Sequence, residues 1–91
     1  MRRHRSDDNQ DEIVTAAEQA FCSVMKLSQV GNGCPDLLLG RKGKRGPENI
    51  LVEVKRDNGE LTPEQVRFHR DWRGQKAIVR SVDDLLALLK A

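Results

Sequence analysis

Hydrophobic and polar positions follow two different periods along this chain, and each change of period predicts a new element of structure. Apolar residues recur at helical spacing from residue 7 to about residue 20, and again in two segments that begin after residues 62 and 81. Alternating or continuous apolar runs predict β-strands at residues 21–27, 36–40, 49–55 and 76–80. The predicted order is α-β-β-β-α-β-α, an α/β fold with a mixed sheet flanked by helices.

Capping and turn residues set several of the predicted boundaries. Thr62 is expected to cap the second helix, with Pro63 at its first position and Gln65 three residues after the cap. The glycines within residues 41–47 predict an exposed hairpin loop. On the second helix, the side chains expected to reach the core are Val66, Phe68 and Trp72, and His69 is expected to lie on the surface.

The composition is that of one globular domain. The chain has 91 residues, of which 37% are hydrophobic and 33% charged, so there is room for a single core. No apolar run approaches the roughly 20 residues of a membrane helix, and no apolar segment follows the basic N-terminus as it would in a secretory signal. We expect a flexible basic arm at residues 1–6, a single domain at residues 7–91, and a cytoplasmic location.

Two carboxylates and a lysine are predicted to share one face of the sheet. Glu53 and Lys55 are two positions apart in a strand and therefore point the same way, while Val54 points to the other side. If this strand pairs with the preceding one, Asp36 lies beside them. Two carboxylates can hold a hard divalent cation, and a lysine can orient or activate a water, so the set suits phosphodiester hydrolysis.

Each of these residues also has a purely structural interpretation. Asp36 could cap a turn after Pro35, and Glu53 with Lys55 could form an ion pair on a solvated sheet face. Gln65 could be a capping-box partner and nothing more, although the two roles can coexist. The combination favours chemistry over any one of these alternatives.

Three motifs together carry a resemblance to a known family. Gly33-x-Pro35-Asp36, then Glu53-Val54-Lys55, then the helix start at residues 61–65 resemble the VRR-NUC domain, a branch of the PD-(D/E)xK nuclease superfamily. The resemblance implies a metal-dependent nuclease with a restriction-endonuclease-like core. Stand-alone domains of this size resemble phage and bacterial enzymes, some of which are dimeric and cut branched DNA such as Holliday junctions.

The resemblance also implies roles for individual residues. Asp36 and Glu53 would be metal ligands, and the backbone carbonyl of Val54 would add a further oxygen. Lys55 would position the attacking water or stabilise the transition state, and Gln65 would orient the site or the substrate. The cofactor implied is Mg²⁺ or Mn²⁺.

Two further assignments complete the predicted site. The family's first helix usually supplies one more carboxylate, for which Glu12 is the choice and Glu18 the alternative. Basic clusters can bind a polyanion even though the net charge is only +2, although a solvated loop is the simpler explanation of any one cluster. The proposed DNA contacts are Arg41, Lys42, Lys44, Arg45 and Arg67.

The resulting hypothesis is a metal-dependent, structure-selective DNA endonuclease that acts on branched DNA as a homodimer. A flap or replication-fork nuclease is the alternative within the enzymes. A non-catalytic nucleic-acid-binding module on the same fold, or an interaction domain of a larger assembly, is the alternative outside them.

Overall fold

The chain folds into a mixed four-stranded sheet with three helices, in the predicted order. The structure is a computed structural model that describes the backbone of residues 5–91 and the side chains of residues 9–91. The elements are α1 (Arg5–Gln19), β1 (Ser23–Lys26), β2 (Leu37–Gly43), β3 (Gly46–Val54), α2 (Pro63–Asp71), β4 (Lys76–Val79) and α3 (Val82–Lys90). Residues 5 and 6 of the predicted arm belong to α1, and residues 1–4 lie outside the described part of the chain.

The strands lie side by side in chain order, β1-β2-β3-β4. The first three are antiparallel, and β4 pairs with β3 in parallel because the connection through α2 returns the chain to the same end of the sheet. In the β2–β3 pair, Leu37 lies opposite Val52. One further step of this register brings Asp36 opposite Glu53, as predicted.

The core lies on one face of the sheet. Ile13 from α1 and Leu85 from α3 are fully buried against Leu39 and Val52 of the central strands. Val54 is buried on this same face, which confirms the predicted alternation of β3. The core therefore packs against the face of β3 that carries Val52 and Val54, and the side chains that alternate with these residues point to the opposite face.

Helix α2 contributes no buried residue to this core, contrary to prediction. The side chain of Val66 is 48% exposed and that of Trp72 is 45% exposed. The rings of Phe68 and Trp72 instead stack on each other at the surface, with centroids 5.2 Å apart. The prediction was wrong because Gln65 and His69 are the α2 residues that reach Glu53 of the sheet, while Phe68 is only partly buried.

Two predicted boundaries also differ from the structure. Strand β1 begins at Ser23 and not at residue 21, because Phe21 adopts a left-handed backbone with φ of 68° that ends α1 and leaves its ring in solvent. The predicted loop at residues 41–47 is mostly strand, since β2 and β3 continue to a two-residue turn between Gly43 and Gly46. None of the described helices is both long and apolar enough to cross a membrane.

Candidate active site

Asp36 and Glu53 meet at the end of the β2–β3 ladder. The Oδ2 atom of Asp36 accepts a hydrogen bond from the backbone N–H of Val54 at 2.8 Å. The side chain of Asp36 thereby bonds to the neighbouring strand β3, and not to the turn after Pro35 as the capping interpretation supposed. That hydrogen bond also holds the carboxyl beside Glu53, which the chemical interpretation requires.

Glu53 is a buried carboxyl group, with 1% of its surface exposed. The pKa of Glu53 is raised from 4.5 to about 8 in total. Burial is the largest cause, the neighbouring Asp36 carboxyl also raises the pKa, and the charge of Lys55 lowers it. Its Oε1 atom has no hydrogen-bond partner among the described residues. A buried carboxyl with an unpartnered oxygen, beside a second, partly buried carboxyl, is the kind of site that a divalent cation stabilises, because the cation offsets the cost of ionising both groups.

Helix α2 supplies the neighbours of Glu53 on the other side. Gln65 Nε2 donates to Glu53 Oε2 at 3.3 Å, while Gln65 Oε1 accepts the N–H of Thr62 at 2.9 Å. The predicted capping box is confirmed, because Thr62 Oγ1 also accepts the N–H of Gln65 at 3.2 Å. One amide therefore closes the capping box and also bonds to Glu53.

His69 was expected on the surface of α2, but its side chain is largely covered and lies beside Glu53. Its side chain is 11% exposed and its Nε2 atom lies 3.9 Å from Glu53 Oε1. Burial, and then the charge of Lys76, lower the pKa of His69, so the imidazole is neutral at neutral pH and the contact is not an ion pair. The available signal was spacing, since residues 65 and 69 are four apart on a helix and therefore share a face.

Gly33 sets the distance between the loop before Asp36 and the first turn of α2. It has a positive φ of 80°, and a Cβ atom there would lie 2.5 Å from the carbonyl oxygen of Glu64. No other residue type allows so close an approach without displacing backbone. The glycine of the Gly-x-Pro-Asp motif thus holds Asp36 and the Gln65 turn together.

Lys55 lies just beyond β3 and is partly exposed. Its N–H donates to the carbonyl of Val79 at 3.0 Å, and its own carbonyl accepts from Asn9 Nδ2 at 3.1 Å. Asn9 was not predicted, and no pattern in the sequence distinguishes it from the other polar residues of α1. Among the described ion pairs none joins Lys55 to Glu53, although the charge of Lys55 lowers the pKa of Glu53.

The structure does not bring a first-helix carboxylate to the pair. Both Glu12 and Glu18 are exposed, and Glu12 lines a wide groove of about 1290 Å³ beside Arg56 and the start of α3. Among side chains of residues 9–91, no group of three or more His, Cys, Asp or Glu is placed to hold a metal ion. Glu12 is three residues after Asn9, hence on the side of α1 that reaches Lys55.

The predicted DNA contacts divide into one internal residue and an exposed set. Arg41 is bonded to other residues of the protein, because its guanidinium pairs with Glu48 at 2.7 Å and donates to the carbonyl of Leu89 in α3. It therefore ties the hairpin to the last helix. The exposed residues are Lys42, Lys44, Arg45 and Arg67.

Comparison with known proteins points to the kind of domain that the motifs resemble. The profile of the VRR-NUC domain matches residues 4–83. A solved structure described as a VRR_NUC domain has a TM-score of 0.69 and 30% sequence identity, over 90% of this chain and 95% of that chain. No curated protein matches the chain at a significant level.

The raised pKa of Glu53 predicts a pH dependence of stability in the absence of divalent cations. Between pH 4.5 and about 8 the folded protein keeps a proton that the unfolded chain has released, so stability falls as pH rises through this window. Glu53→Gln should remove that fall and make the protein about 1–3 kcal/mol more stable at pH 8. Urea unfolding in EDTA from pH 5 to pH 8 measures both effects.

The exposed Glu60→Gln is the control for loss of one charge, and it should follow the pH profile of the wild type. A wild-type stability that is flat or rising between pH 5 and pH 8, unchanged by Glu53→Gln, would contradict the burial of this carboxyl.

Proposed function

This chain belongs to the VRR-NUC family, and from that membership and the geometry of its site we propose that it is a metal-dependent DNA endonuclease. Its proposed substrates are branched structures such as Holliday junctions, in which it hydrolyses phosphodiester bonds. The observation that carries the proposal is the buried Glu53, which lies beside Asp36 with one oxygen unpartnered and Lys55 two residues away.

The residues present suit a hard cation. Asp36, Glu53 and the carbonyl of Val54 offer only oxygen atoms, the ligands that Mg²⁺ and Mn²⁺ prefer. When bound there, such an ion would polarise the scissile phosphate and lower the pKa of a bound water.

The chain's own side chains have distinct proposed tasks. Lys55 places a positive charge where negative charge develops on the phosphate, and the backbone bonds on either side of it hold its position. Gln65 fixes one oxygen of Glu53 through its amide. Asp36 is held by Val54, so both carboxyls are oriented before any substrate binds.

The hairpin turn is proposed to contact the DNA at a point some distance along the duplex from the bond that is cut. From Glu53 to the turn at Gly46 is seven residues of strand, or about 23 Å at about 3.3 Å per residue. That distance corresponds to about seven base pairs of duplex. Lys44 and Arg45 would then contact the backbone of one duplex arm, which positions the substrate without reading its sequence.

Removal of either key side chain should slow cleavage strongly. Asp36→Asn should reduce the rate by at least about 100-fold, because the carboxylate is lost. Lys55→Ala should reduce it by about 10²–10³-fold, because the developing charge loses its partner. The measurement is single-turnover cleavage of labelled four-way junction, flap and linear duplex, each with Mg²⁺, Mn²⁺ or EDTA.

Exposed residues away from the site provide matched controls. Glu60→Gln removes one negative charge, as Asp36→Asn does, and Lys90→Ala removes one positive charge, as Lys55→Ala does. Both control variants should cut as the wild type does. Equal cutting by Asp36→Asn and Lys55→Ala would rule out this site, and cutting that survives EDTA would rule out the metal. Binding without cleavage under every metal condition would favour the non-catalytic module, and preferential cutting of flaps would favour the flap nuclease.

The hairpin contacts should appear in the salt dependence of binding. Lys44→Ala and Arg45→Ala together should reduce the slope of log affinity against log salt by about 2, or about 1 for each lost phosphate contact. The effect should disappear on substrates whose arms are shorter than about seven base pairs. Fluorescence anisotropy measures it, and a slope that the double substitution leaves unchanged on long arms would contradict the assignment.

We also propose a homodimer, since a resolved junction needs two cuts and each chain contains a single Asp36–Glu53 pair. Light scattering at micromolar concentration should give twice the mass of the 91-residue chain. A monomeric mass, both free and with junction DNA, would contradict the dimer while leaving the cleavage proposal intact.

A further inference from the structure

We propose that His69 is a positioning residue that holds the Glu53 carboxylate from the side of α2, which rests on the proposed function of Glu53 as a cation ligand. The proposal starts from two atoms. His69 Nε2 and Glu53 Oε1 are both buried, both lack a hydrogen-bond partner among the described residues, and lie 3.9 Å apart.

An unpartnered buried polar atom is unusual and costly in a folded protein. A distance of 3.9 Å is too long for a hydrogen bond, but the two atoms need to approach by only about 1 Å to form one. The pair is therefore one small movement away from satisfying both atoms.

Helix α2 places two residues, four apart on one face, beside the two side-chain oxygens of Glu53. Gln65 donates to Oε2, and His69 faces Oε1. A carboxylate has about four acceptor positions, so one donor on each oxygen leaves acceptor capacity for a cation beside Asp36. The imidazole thereby fixes the orientation in which Glu53 is presented to that cation.

The attachment of α2 suits this role. The helix has no buried residue of its own, so apolar packing does not determine where His69 lies. Its first turn lies close against Gly33, and the carbonyl of its C-cap residue, Trp72, accepts from the Lys76 ammonium. These contacts at both ends place the 65–69 face over Glu53.

The test is Mn²⁺ binding in the absence of DNA, followed by electron paramagnetic resonance of the free ion. His69→Leu keeps the bulk and removes the nitrogen, and we expect it to weaken Mn²⁺ binding by about 10–100-fold. His69→Gln restores an N–H donor and should recover affinity to within about threefold of the wild type. Because the loss is in binding, a high Mn²⁺ concentration should restore the cleavage rate of His69→Leu.

Unfolding in EDTA separates positioning from packing. His69→Leu should be at least as stable as the wild type, since a leucine has no unpartnered polar atom to bury. His69→Phe is a second apolar replacement that retains a ring, for use if the leucine variant folds poorly. Arg70→Leu is the control on the same helix, because Arg70 is exposed and pairs only with its neighbour Asp71 among the described residues.

The outcomes distinguish this proposal from the one that it rests on. If the wild type binds Mn²⁺ and the folded apolar variants bind it equally well, His69 has no positioning role. If the glutamine variant is as weak as the leucine variant, the nitrogen does not act as a donor to Glu53 and the proposal fails. If the wild type binds no Mn²⁺ at all, the proposed function fails first, and the role of His69 with it.

Discussion

The burial of one carboxyl group, that of Glu53, is the constraint on which this small structure depends. The core on the other face of the sheet holds Val52 and Val54, and the strand period then forces Glu53 to the opposite side. There it is shielded from water, beside Asp36 and under α2, and its pKa rises to about 8. A domain without use for this group would be more stable with an apolar or amide side chain in its place.

The arrangement of α2 follows from that constraint. Most helices of small domains are held by an apolar stripe, yet this one stacks Phe68 on Trp72 at the surface and turns Gln65 and His69 inward. It is held by polar contacts and by the close approach at Gly33. Helix α2 therefore contributes residues to the Glu53 site and no buried residue to the core, so a chain of 91 residues has room for both a core and a site.

Arg41 shows how a residue type alone can mislead. In the sequence it is one of several basic residues around a predicted loop, and so a candidate for binding phosphate. In the structure the strand continues through it, and its guanidinium joins Glu48 and the end of α3. An arginine within a cluster is free to bind DNA only if the fold leaves it no internal acceptor, and that is a property of contacts between distant segments.

The order of elements, the two faces of β3, the capping box at Thr62 and the meeting of Asp36 with Glu53 could all be predicted from the sequence. These depend on periods of two or 3.6 residues, on side chains that bond within three residues, and on one strand pairing. Three features instead arise from tertiary packing: the face that α2 turns inward, the approach of His69 to Glu53, and the hydrogen bond from Asn9 to the carbonyl of Lys55. The physical reason is that these contacts depend on how a helix packs against the sheet, which no periodicity along the chain encodes, whereas one strand pairing is enough to bring Asp36 to Glu53.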